Sequence, residues 1–284
     1  MIRDLLAVSR PLSWVNTAYP FAVAYLLTAR DIDVALVVGT LFFLVPYNLA
    51  MYGVNDVFDY ASDLANPRKG GVEGALISPA RHRAVLVAAA AVSAPFVAVL
   101  LALGGPASWL VLAVSIFAVV AYSAPPFRFK EIPFLDSVTS STHFVSPALY
   151  GIALAGGALD APAAVVLGAF FLWGVASHAF GAVQDVVPDR AAGIGSIATA
   201  LGAAATVRVA LGAWFAAGLL MTAAGPPAAW AAVLAVPYLA MAAPYVRVSD
   251  ADSARANRGW RHFLWINYGC GAAVTVLLIA TALR

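Results

Sequence analysis

The stretch from Val34 to Asp63, VALVVGTLFFLVPYNLAMYGVNDVFDYASD, joins a long apolar run to a dense group of polar side chains. The group contains Asn55, Asp56, Asp59 and Asp63. Three of them, Asn55, Asp59 and Asp63, are spaced i, i+4, i+8, so on a helix their side chains share one face. The apolar run is long enough to cross a bilayer, which needs about 20 residues. We therefore expect an acidic stripe where a transmembrane helix reaches the membrane surface.

The composition places the whole chain in a membrane. Hydrophobic residues make up 63% of the 284 residues, charged residues 11%, and the mean hydropathy is +0.88, outside the range of soluble domains. Continuous rather than alternating apolar runs favour helices over an outer-membrane barrel. We see no cleaved signal peptide, and the single cysteine, Cys270, argues against disulfides and cysteine metal sites. The expected fold class is all-α, a polytopic membrane protein.

Nine apolar segments, separated by polar breaks or by breaks rich in Gly and Pro, are predicted to be transmembrane helices. They lie at about 12–29, 34–54, 84–103, 107–123, 136–156, 162–182, 200–223, 227–245 and 263–283. We expect a single domain over residues 1–284, in which two four-helix halves, about 12–123 and 136–245, are followed by a ninth helix.

Basic residues lie almost entirely on one side of this nine-helix topology. Of the 16 Lys and Arg residues, 14 fall on the side of the N-terminus, and only Arg30 and Arg284 fall on the other. The positive-inside rule then places the N-terminus in the cytoplasm. We predict an integral protein of a bacterial or archaeal cytoplasmic membrane, with its active site on the cytoplasmic side of the helix bundle.

A second acidic pair, Asp185 and Asp189, has i, i+4 spacing at the cytoplasmic end of the predicted sixth helix. Converging carboxylates repel one another unless a cation lies between them, and oxygen ligands without His or Cys suit Mg²⁺. We predict Asn55, Asp59, Asp63, Asp185 and Asp189 as magnesium ligands. Solvated helix caps are the plainer interpretation, which the matching spacing on one side of the membrane disfavours.

Basic side chains flank both acidic groups. Arg68 and Lys69 follow the first group, Arg128 and Lys130 lie in the intervening loop, and Arg190 adjoins the second group. We predict that these five residues bind phosphate oxygens. Metal-binding acids beside phosphate-binding bases indicate a diphosphate site at the membrane surface.

These motifs resemble those of the UbiA superfamily of intramembrane prenyltransferases. The family's NDxxDxxxD motif is matched in full by residues 55–63, and its second DxxxD motif by residues 185–189, followed by Arg190 and Gly193. The resemblance covers nearly the whole chain. It implies that both motifs bind Mg²⁺ and the diphosphate of an isoprenyl donor, in a helical bundle that opens laterally to lipid.

Two segments depart from the usual pattern of the family. In YSAPPFRFK (122–130), Lys130 keeps the basic position of a YxxxK motif while Tyr122 lies further upstream; in NPRKGGVEGAL (66–76), the usual RPL-type segment is replaced. Both segments resemble the lycopene elongases, the carotenoid branch of the family. Those enzymes add five-carbon prenyl units to lycopene, and several also leave a hydroxyl group.

This resemblance implies a Mg²⁺-dependent prenyltransferase that ionises an allylic diphosphate, with dimethylallyl diphosphate as the expected donor, and prenylates lycopene. Asp56, Asp59 and Asp185 are the predicted catalytic residues, and Asp56, which lies off the metal-facing stripe, is expected to accept the proton. The expected partners are the diphosphate donor, a lipophilic acceptor from the bilayer and membrane lipids, with no nucleic acid.

Several alternatives remain at this stage. The acceptor could instead be an aromatic, quinone or chlorophyll-type molecule. A transporter with an acidic vestibule is a remote alternative, because such proteins place ionisable residues near the middle of the membrane. His143 and His178, in the predicted fifth and sixth helices, are open to two interpretations, buried hydrogen bonding and acid–base chemistry.

Overall fold

The computed structural model describes residues 1–65 and 75–283, and every regular element in these ranges is a helix. The α-helices are α1 (Ile2–Ser9), α2 (Val15–Ala29), α3 (Val34–Leu44), α4 (Pro46–Phe58), α5 (Tyr60–Ala65), α6 (His82–Leu103), α7 (Pro106–Ser123), α8 (Leu135–Leu154), α9 (Ala161–Val183), α10 (Val186–Ala191), α11 (Ile197–Leu201), α12 (Ala203–Met221), α13 (Ala235–Ala242) and α14 (Asn257–Ala282). Short 3₁₀ helices are Pro11–Ser13, Pro79–Arg81, Phe129–Glu131, Thr222–Ala224, Ala228–Leu234, Ala243–Tyr245 and Ser253–Ala256. The predicted all-helical class is confirmed for this part of the chain.

Seven helical stretches in the described ranges are long and apolar enough to cross a membrane. They are Val34–Phe58, Pro79–Leu103, Pro106–Ser123, Ala161–Val183, Ala203–Ala224, Ala228–Tyr245 and Ser253–Ala282. Each coincides with one of the nine predicted spans. The chain is therefore an integral membrane protein, as its composition predicted.

The two remaining predicted spans are helices that do not meet the same criteria of length and composition. α2 has 15 residues, which corresponds to a length of about 22 Å at the rise of an α-helix. α8 has 20 residues, but its first half reads LDSVTSSTH and is polar. The prediction of nine spans is thus matched in seven, and for these two it stays a prediction.

One span is broken near its middle, at the junction of α3 and α4. α3 ends at Leu44, and α4 begins at Pro46, which has no backbone N–H to donate. The buried amide of Asn48 compensates, because its Nδ2 donates to the carbonyls of Phe43 (2.8 Å) and Leu44 (3.1 Å). Backbone carbonyls released within a membrane need such partners.

The helices group into two compact units. The first comprises Met1–Phe129 and Thr142–Ala158, and the second comprises Lys130–Ser141 and Leu159–Arg284. The first acidic motif belongs to the first unit and the second motif to the second unit. The predicted single domain stays a prediction.

Aromatic side chains form the core of the first unit. The ring of Phe21 lies 5.2 Å from that of Phe43 and 5.9 Å from that of Tyr150, centroid to centroid. Gly39 in α3 makes room for Phe21, because a Cβ at position 39 would lie only 2.0 Å from the Phe21 ring. This close contact between α2 and α3 helps to position α4, the helix that carries Asn55 and Asp56 of the first motif.

A second aromatic core supports α9, the helix that leads to the second motif. Phe180 in α9 packs 5.8 Å from Trp214, and Trp214 stacks 5.5 Å from Tyr238. Gly259 in α14 lets that helix approach α9, since a Cβ there would lie 2.9 Å from the ring of Phe180. These contacts fix the end of α9 within the second unit.

Candidate active site

The first acidic motif keeps helical spacing across a junction between two helices. α4 ends at Phe58 and α5 begins at Tyr60, yet Asp59 N donates to Asn55 O (2.9 Å) and Asp63 N donates to Asp59 O (2.8 Å). These two consecutive i→i−4 bonds hold Asn55, Asp59 and Asp63 at successive turns. The stripe predicted from the sequence is therefore present in the backbone.

The carboxylates of this stripe are buried. Asp59 is 5% exposed and Asp63 is 7% exposed. Asn55 Nδ2 donates to Asp59 Oδ2 (2.6 Å) and lies 3.0 Å from Ser123 Oγ, at the end of α7. Asn55 thus orients the carboxylate of Asp59, and Ser123 orients Asn55 in turn. The amide of Asn55 therefore orients the carboxylate of Asp59, a role that the spacing alone did not indicate.

Asp56 points away from this stripe and has a different set of partners. Its side chain is fully buried, its Oδ1 accepts a hydrogen bond from Arg10 Nη2 (2.6 Å), and its Oδ2 accepts one from Ala75 N (3.3 Å). The guanidinium of Arg10 also lies 4.1 Å from the centroid of the Tyr52 ring. These contacts give Asp56 a structural role. Its role as a proton acceptor stays a prediction.

The second motif repeats the same backbone spacing. Asp189 N donates to Asp185 O (2.9 Å), so the two carboxylates lie one turn apart, and both residues are half-buried. Gln184, directly before Asp185, accepts a hydrogen bond from Asn257 Nδ2 (2.6 Å), the first residue of α14. The end of α9 is therefore fixed at the residue next to the predicted ligand.

The guanidinium of Arg190 contacts two protein groups. Its Nε and Nη2 donate to Thr199 O (3.2 and 2.9 Å), and its Nη1 lies 2.5 Å from Asp250 Oδ2. Asp250 also accepts a hydrogen bond from Ala203 N (2.6 Å), and this N–H, followed by the Arg190 guanidinium, lowers the pKa of the Asp250 carboxyl. Arg190 joins α10 to residues 199 and 250; its predicted role in diphosphate binding remains untested.

The other predicted phosphate-binding residues fall into two groups. Arg68 and Lys69 lie outside the described residues. Arg128, two residues after the cis Pro125–Pro126 bond, has a left-handed backbone (φ 43°), and Lys130 Nζ lies 3.9 Å from Glu131 Oε1. The side chain of Lys130 is only 12% exposed, which is low for a lysine.

The residues present fit a magnesium ion that arrives with its substrate. Among the described residues, no three His, Cys, Asp or Glu side chains form a ready-made metal cage. Mg²⁺ does not require one, because it is usually held by one or two carboxylates together with water and substrate phosphates. Buried carboxylates such as those of Asp59 and Asp63 are costly without a cation to compensate them. The magnesium ligands themselves remain predictions.

Sequence reasoning missed the residues that hold the motifs in place. Arg10, Ser123 and Asn257 contact motif residues, or their neighbours, from 46, 68 and 73 positions away in the chain. Arg10 is the one with a visible signal, since it is one of few charged residues next to an apolar segment.

Known proteins resemble this chain in both sequence and fold. Residues 17–267 match the model of the UbiA prenyltransferase family. The chain is 55% identical over 284 residues to the C(50) beta-cyclic carotenoids biosynthesis protein LbtBC of Dietzia sp. (strain CQ4), an alignment that covers 100% of this chain and 66% of that protein. It is 50% identical over 279 residues to a lycopene elongase/hydratase of Corynebacterium glutamicum, covering 98% of this chain and 97% of the relative.

The fold is also that of a solved structure. A UbiA homolog from Archaeoglobus fulgidus, bound to DMAPP and Mg²⁺, superposes with a TM-score of 0.64 over 96% of this chain and 100% of that chain. The two sequences are 18% identical, so this likeness establishes the fold alone.

Proposed function

This chain belongs to the UbiA prenyltransferase family, and on that premise we propose that it transfers the prenyl group of dimethylallyl diphosphate to lycopene in carotenoid biosynthesis. The activity class, prenyltransferase, follows from the family and from the relatives at 50% and 55% identity. The acceptor is taken from the name of the Corynebacterium relative, lycopene elongase/hydratase, and the donor from the ligand of the Archaeoglobus structure.

The burial of Asp59 and Asp63 carries the proposal. Acids that merely cap a helix end lie in solvent, whereas these two are 5% and 7% exposed at the end of a membrane-spanning stretch. Two carboxylates one helical turn apart repel each other, and a cation held by both would relieve that repulsion. A site that pairs such acids with a metal and a diphosphate explains their burial.

We propose Asp59 and Asp63 of the first motif, and Asp185 and Asp189 of the second motif, as the residues that would hold magnesium. Bound there, it would neutralise part of the charge on the diphosphate and so favour departure of the leaving group. Asn55, also a predicted ligand, orients the Asp59 carboxylate through its 2.6 Å hydrogen bond. The basic residues Arg68, Lys69, Arg128, Lys130 and Arg190 are proposed to bind the remaining phosphate oxygens as the C–O bond lengthens.

The transfer step breaks one bond and forms another. The allylic C–O bond breaks, and diphosphate leaves with its electron pair. A terminal double bond of lycopene then attacks the allylic carbon and forms a C–C bond, which places the positive charge on the acceptor. That charge is removed by loss of a proton from a neighbouring carbon, whose C–H electron pair forms a C=C bond, or by addition of water followed by loss of one of the water's protons. The membrane supplies the acceptor, which partitions into the bilayer.

We also propose nine spans with the N-terminus in the cytoplasm of a bacterial or archaeal cell. The support is the distribution of basic residues, 14 of 16 on one side of that topology, together with the helical conformation of all nine predicted segments. The diphosphate site then faces the cytoplasm.

Expression in a lycopene-producing host tests the function. We expect carotenoids one and two prenyl units longer than lycopene, identified by mass, and we expect Asp59→Ala and Asp185→Ala to lower their yield by about 10²-fold or more. Asp31→Ala, a change at an exposed acid outside both motifs, serves as the control. In isolated membranes, EDTA should stop the reaction and Mg²⁺ should restore it. Unchanged lycopene in the host, with the protein present in the membrane, would contradict the proposed acceptor.

A further inference from the structure

A fully buried acid in the second unit belongs to neither acidic motif. Asp136, at the start of α8, is 0% exposed. Its Oδ1 accepts a hydrogen bond from Ser137 N, and its Oδ2 accepts one from Ile197 N, both at 2.7 Å. A buried carboxylate is costly, and hydrogen bonds from backbone N–H groups offset that cost. The bond from Ile197 also joins two segments that lie 61 positions apart in the chain.

Ile197 belongs to a segment that is fixed relative to the second motif. α10 ends in a Schellman motif, in which Ile194 N donates to Asp189 O (2.8 Å). Gly193 N donates to Arg190 O (3.2 Å), and Gly193 has the left-handed backbone (φ 70°) that this motif requires. The backbone is therefore held to the motif as far as Ile194, three residues before Ile197.

The short helix α11, which begins at Ile197, contacts the second motif directly. The carbonyl of Thr199 in α11 accepts the hydrogen bonds from Arg190 Nε (3.2 Å) and Nη2 (2.9 Å). Arg190 follows Asp189 in the chain. A continuous path of hydrogen bonds and helical backbone thus runs from Asp136 to the second motif.

The same segment lies against the residues that follow Lys130. A Cβ added at Gly195 would overlap the carbonyl oxygen of Glu131, so the two backbones are in a contact that only glycine permits. Lys130 directly precedes Glu131, and its side chain is 12% exposed. Together with the hydrogen bond from Ile197 to Asp136, this contact holds the segment that begins at Lys130 against the segment that follows the second motif.

From these contacts we propose that Asp136 is a positioning residue of the prenyl transfer, which keeps Lys130 and the second motif in a fixed arrangement. The inference rests on the proposed function. In that function Lys130 binds the donor's diphosphate directly, and Asp185 and Asp189 bind it through Mg²⁺. The arrangement of their two segments then decides how well the diphosphate is bound. Loss of the Asp136 contact should therefore weaken binding of the donor more than it slows the reaction of bound donor.

Two substitutions remove the hydrogen bond between Asp136 and Ile197 from opposite sides. In Asp136→Asn the amide oxygen still accepts one backbone N–H, but the NH₂ group cannot accept the other. Ile197→Pro removes the donor, since proline has no N–H. Proline suits this position, because Ile197 is the first residue of α11 and its N-cap, Ser196, is extended (φ −159°, ψ 168°). Ile197→Val is the matched control, because it also shortens this buried side chain but keeps the N–H.

The test measures release of diphosphate by isolated membranes supplied with lycopene, Mg²⁺ and increasing amounts of dimethylallyl diphosphate. We expect the KM for dimethylallyl diphosphate to rise about 10-fold or more in Asp136→Asn and Ile197→Pro, while kcat stays within about threefold of the parent. Ile197→Val should keep the KM of the parent. Gly218→Ala is a control for stability alone, since its added Cβ would lie 2.8 Å from Ala235 in α13. Its melting temperature should fall and its KM should not change.

The outcomes are distinct. KM values of Asp136→Asn and Ile197→Pro within about threefold of the parent overturn the inference, since loss of an orienting contact costs more than that. An equal rise of KM in Ile197→Val or Gly218→Ala also overturns it, because lost packing then explains the effect. If Asp136→Asn does not accumulate in the membrane, the comparison of Ile197→Pro with Ile197→Val decides alone. A parent chain that releases no diphosphate, or releases it without making elongated carotenoid, refutes the proposed function, and the inference falls with it.

Discussion

Arg10 and Asp56 form an ion pair in which Nη2 lies 2.6 Å from Oδ1, although the two residues are 46 positions apart. Arg10 follows α1 in a left-handed conformation (φ 50°), which is uncommon for a residue other than glycine. Its guanidinium lies between the Asp56 carboxylate and the Tyr52 ring. The N-terminal helix is thereby joined to the first acidic motif through the acid that lies off the metal-facing stripe.

Arg10→Ala should destabilise the protein strongly, because it removes a cation that pairs with the fully buried Asp56 carboxylate. Loss of one partner of a buried ion pair costs about 3–5 kcal/mol. Thermal denaturation in detergent measures the effect. Arg3→Ala, at an exposed arginine of the same N-terminal segment, should change stability by about 0.5 kcal/mol or less. Adding Asp56→Asn to Arg10→Ala should recover part of the loss; a double variant less stable than the single one would contradict the assigned pair.

Asn55→Ala should weaken catalysis without removing it. Asn55 orients Asp59 through a 2.6 Å hydrogen bond, and loss of such an orienting partner typically costs about 10–100-fold in activity or metal affinity. We expect an increased Mg²⁺ requirement for carotenoid elongation, smaller in effect than Asp59→Ala. Ser123→Ala, one hydrogen bond further away, should have a milder effect in the same direction. Wild-type magnesium dependence in Asn55→Ala would show that Asp59 is positioned by other groups.

The contact between Arg190 and Asp250 should make stability depend on pH on the acid side. The Ala203 N–H and the Arg190 guanidinium lower the pKa of Asp250, so its stabilising contribution is complete above the ordinary value of 3.8 and is lost as the pH falls through the lowered pKa. Asp250→Asn should therefore melt below the parent at neutral pH, and the difference should shrink in acid. Melting curves recorded between neutral pH and the acid limit of solubility test this. A difference in melting temperature that does not vary with pH would contradict it.

Gly39→Ala should destabilise the first unit. The added Cβ would lie 2.0 Å from the ring of Phe21, a fully buried side chain with little room to move. Overpacking of this kind costs about 1–3 kcal/mol. Gly212→Ala is the matched control, because Gly212 is an exposed position in α12 where an added Cβ meets no atom within 4 Å. There the better helix propensity of alanine should be neutral or stabilising by up to about 1 kcal/mol. Equal melting temperatures for the two variants would contradict the packing argument.

The sequence allowed prediction of the features that depend on residues close together in the chain. Seven of the apolar runs are membrane-spanning candidates in the structure as well. They could be predicted because each residue makes its own contribution to the free energy of placing a segment in a membrane. The i, i+4 spacing of Asp59 with Asp63 and of Asp185 with Asp189 appears directly as backbone hydrogen bonds. The burial of the polar residues in the first half of α8 was not predicted. Asp136, for example, is buried because it contacts residues that are distant in the chain, such as Ile197.

Contacts between distant residues could not be predicted, since they depend on how the helices pack. Arg190 follows an acidic pair and so was predicted to bind phosphate, but in the structure it contacts Thr199 O and Asp250, a residue 60 positions later. Asp56 was predicted to accept a proton, and in the structure it pairs with Arg10. In both cases the sequence shows a charge, and only the fold shows which opposite charge it meets.

The length of α2 has a consequence for the lipid around the protein. Fifteen residues of helix reach about 22 Å, whereas the hydrocarbon layer of a typical bilayer is about 30 Å thick. A helix that crosses with this mismatch is accommodated by thinner lipid beside it or by flanking side chains that extend to the headgroups. Acyl chains next to α2 would then be compressed and less ordered than those elsewhere. Bilayer thickness thus becomes a variable of the system, because lipids of different chain length would alter the environment of the predicted α2 span.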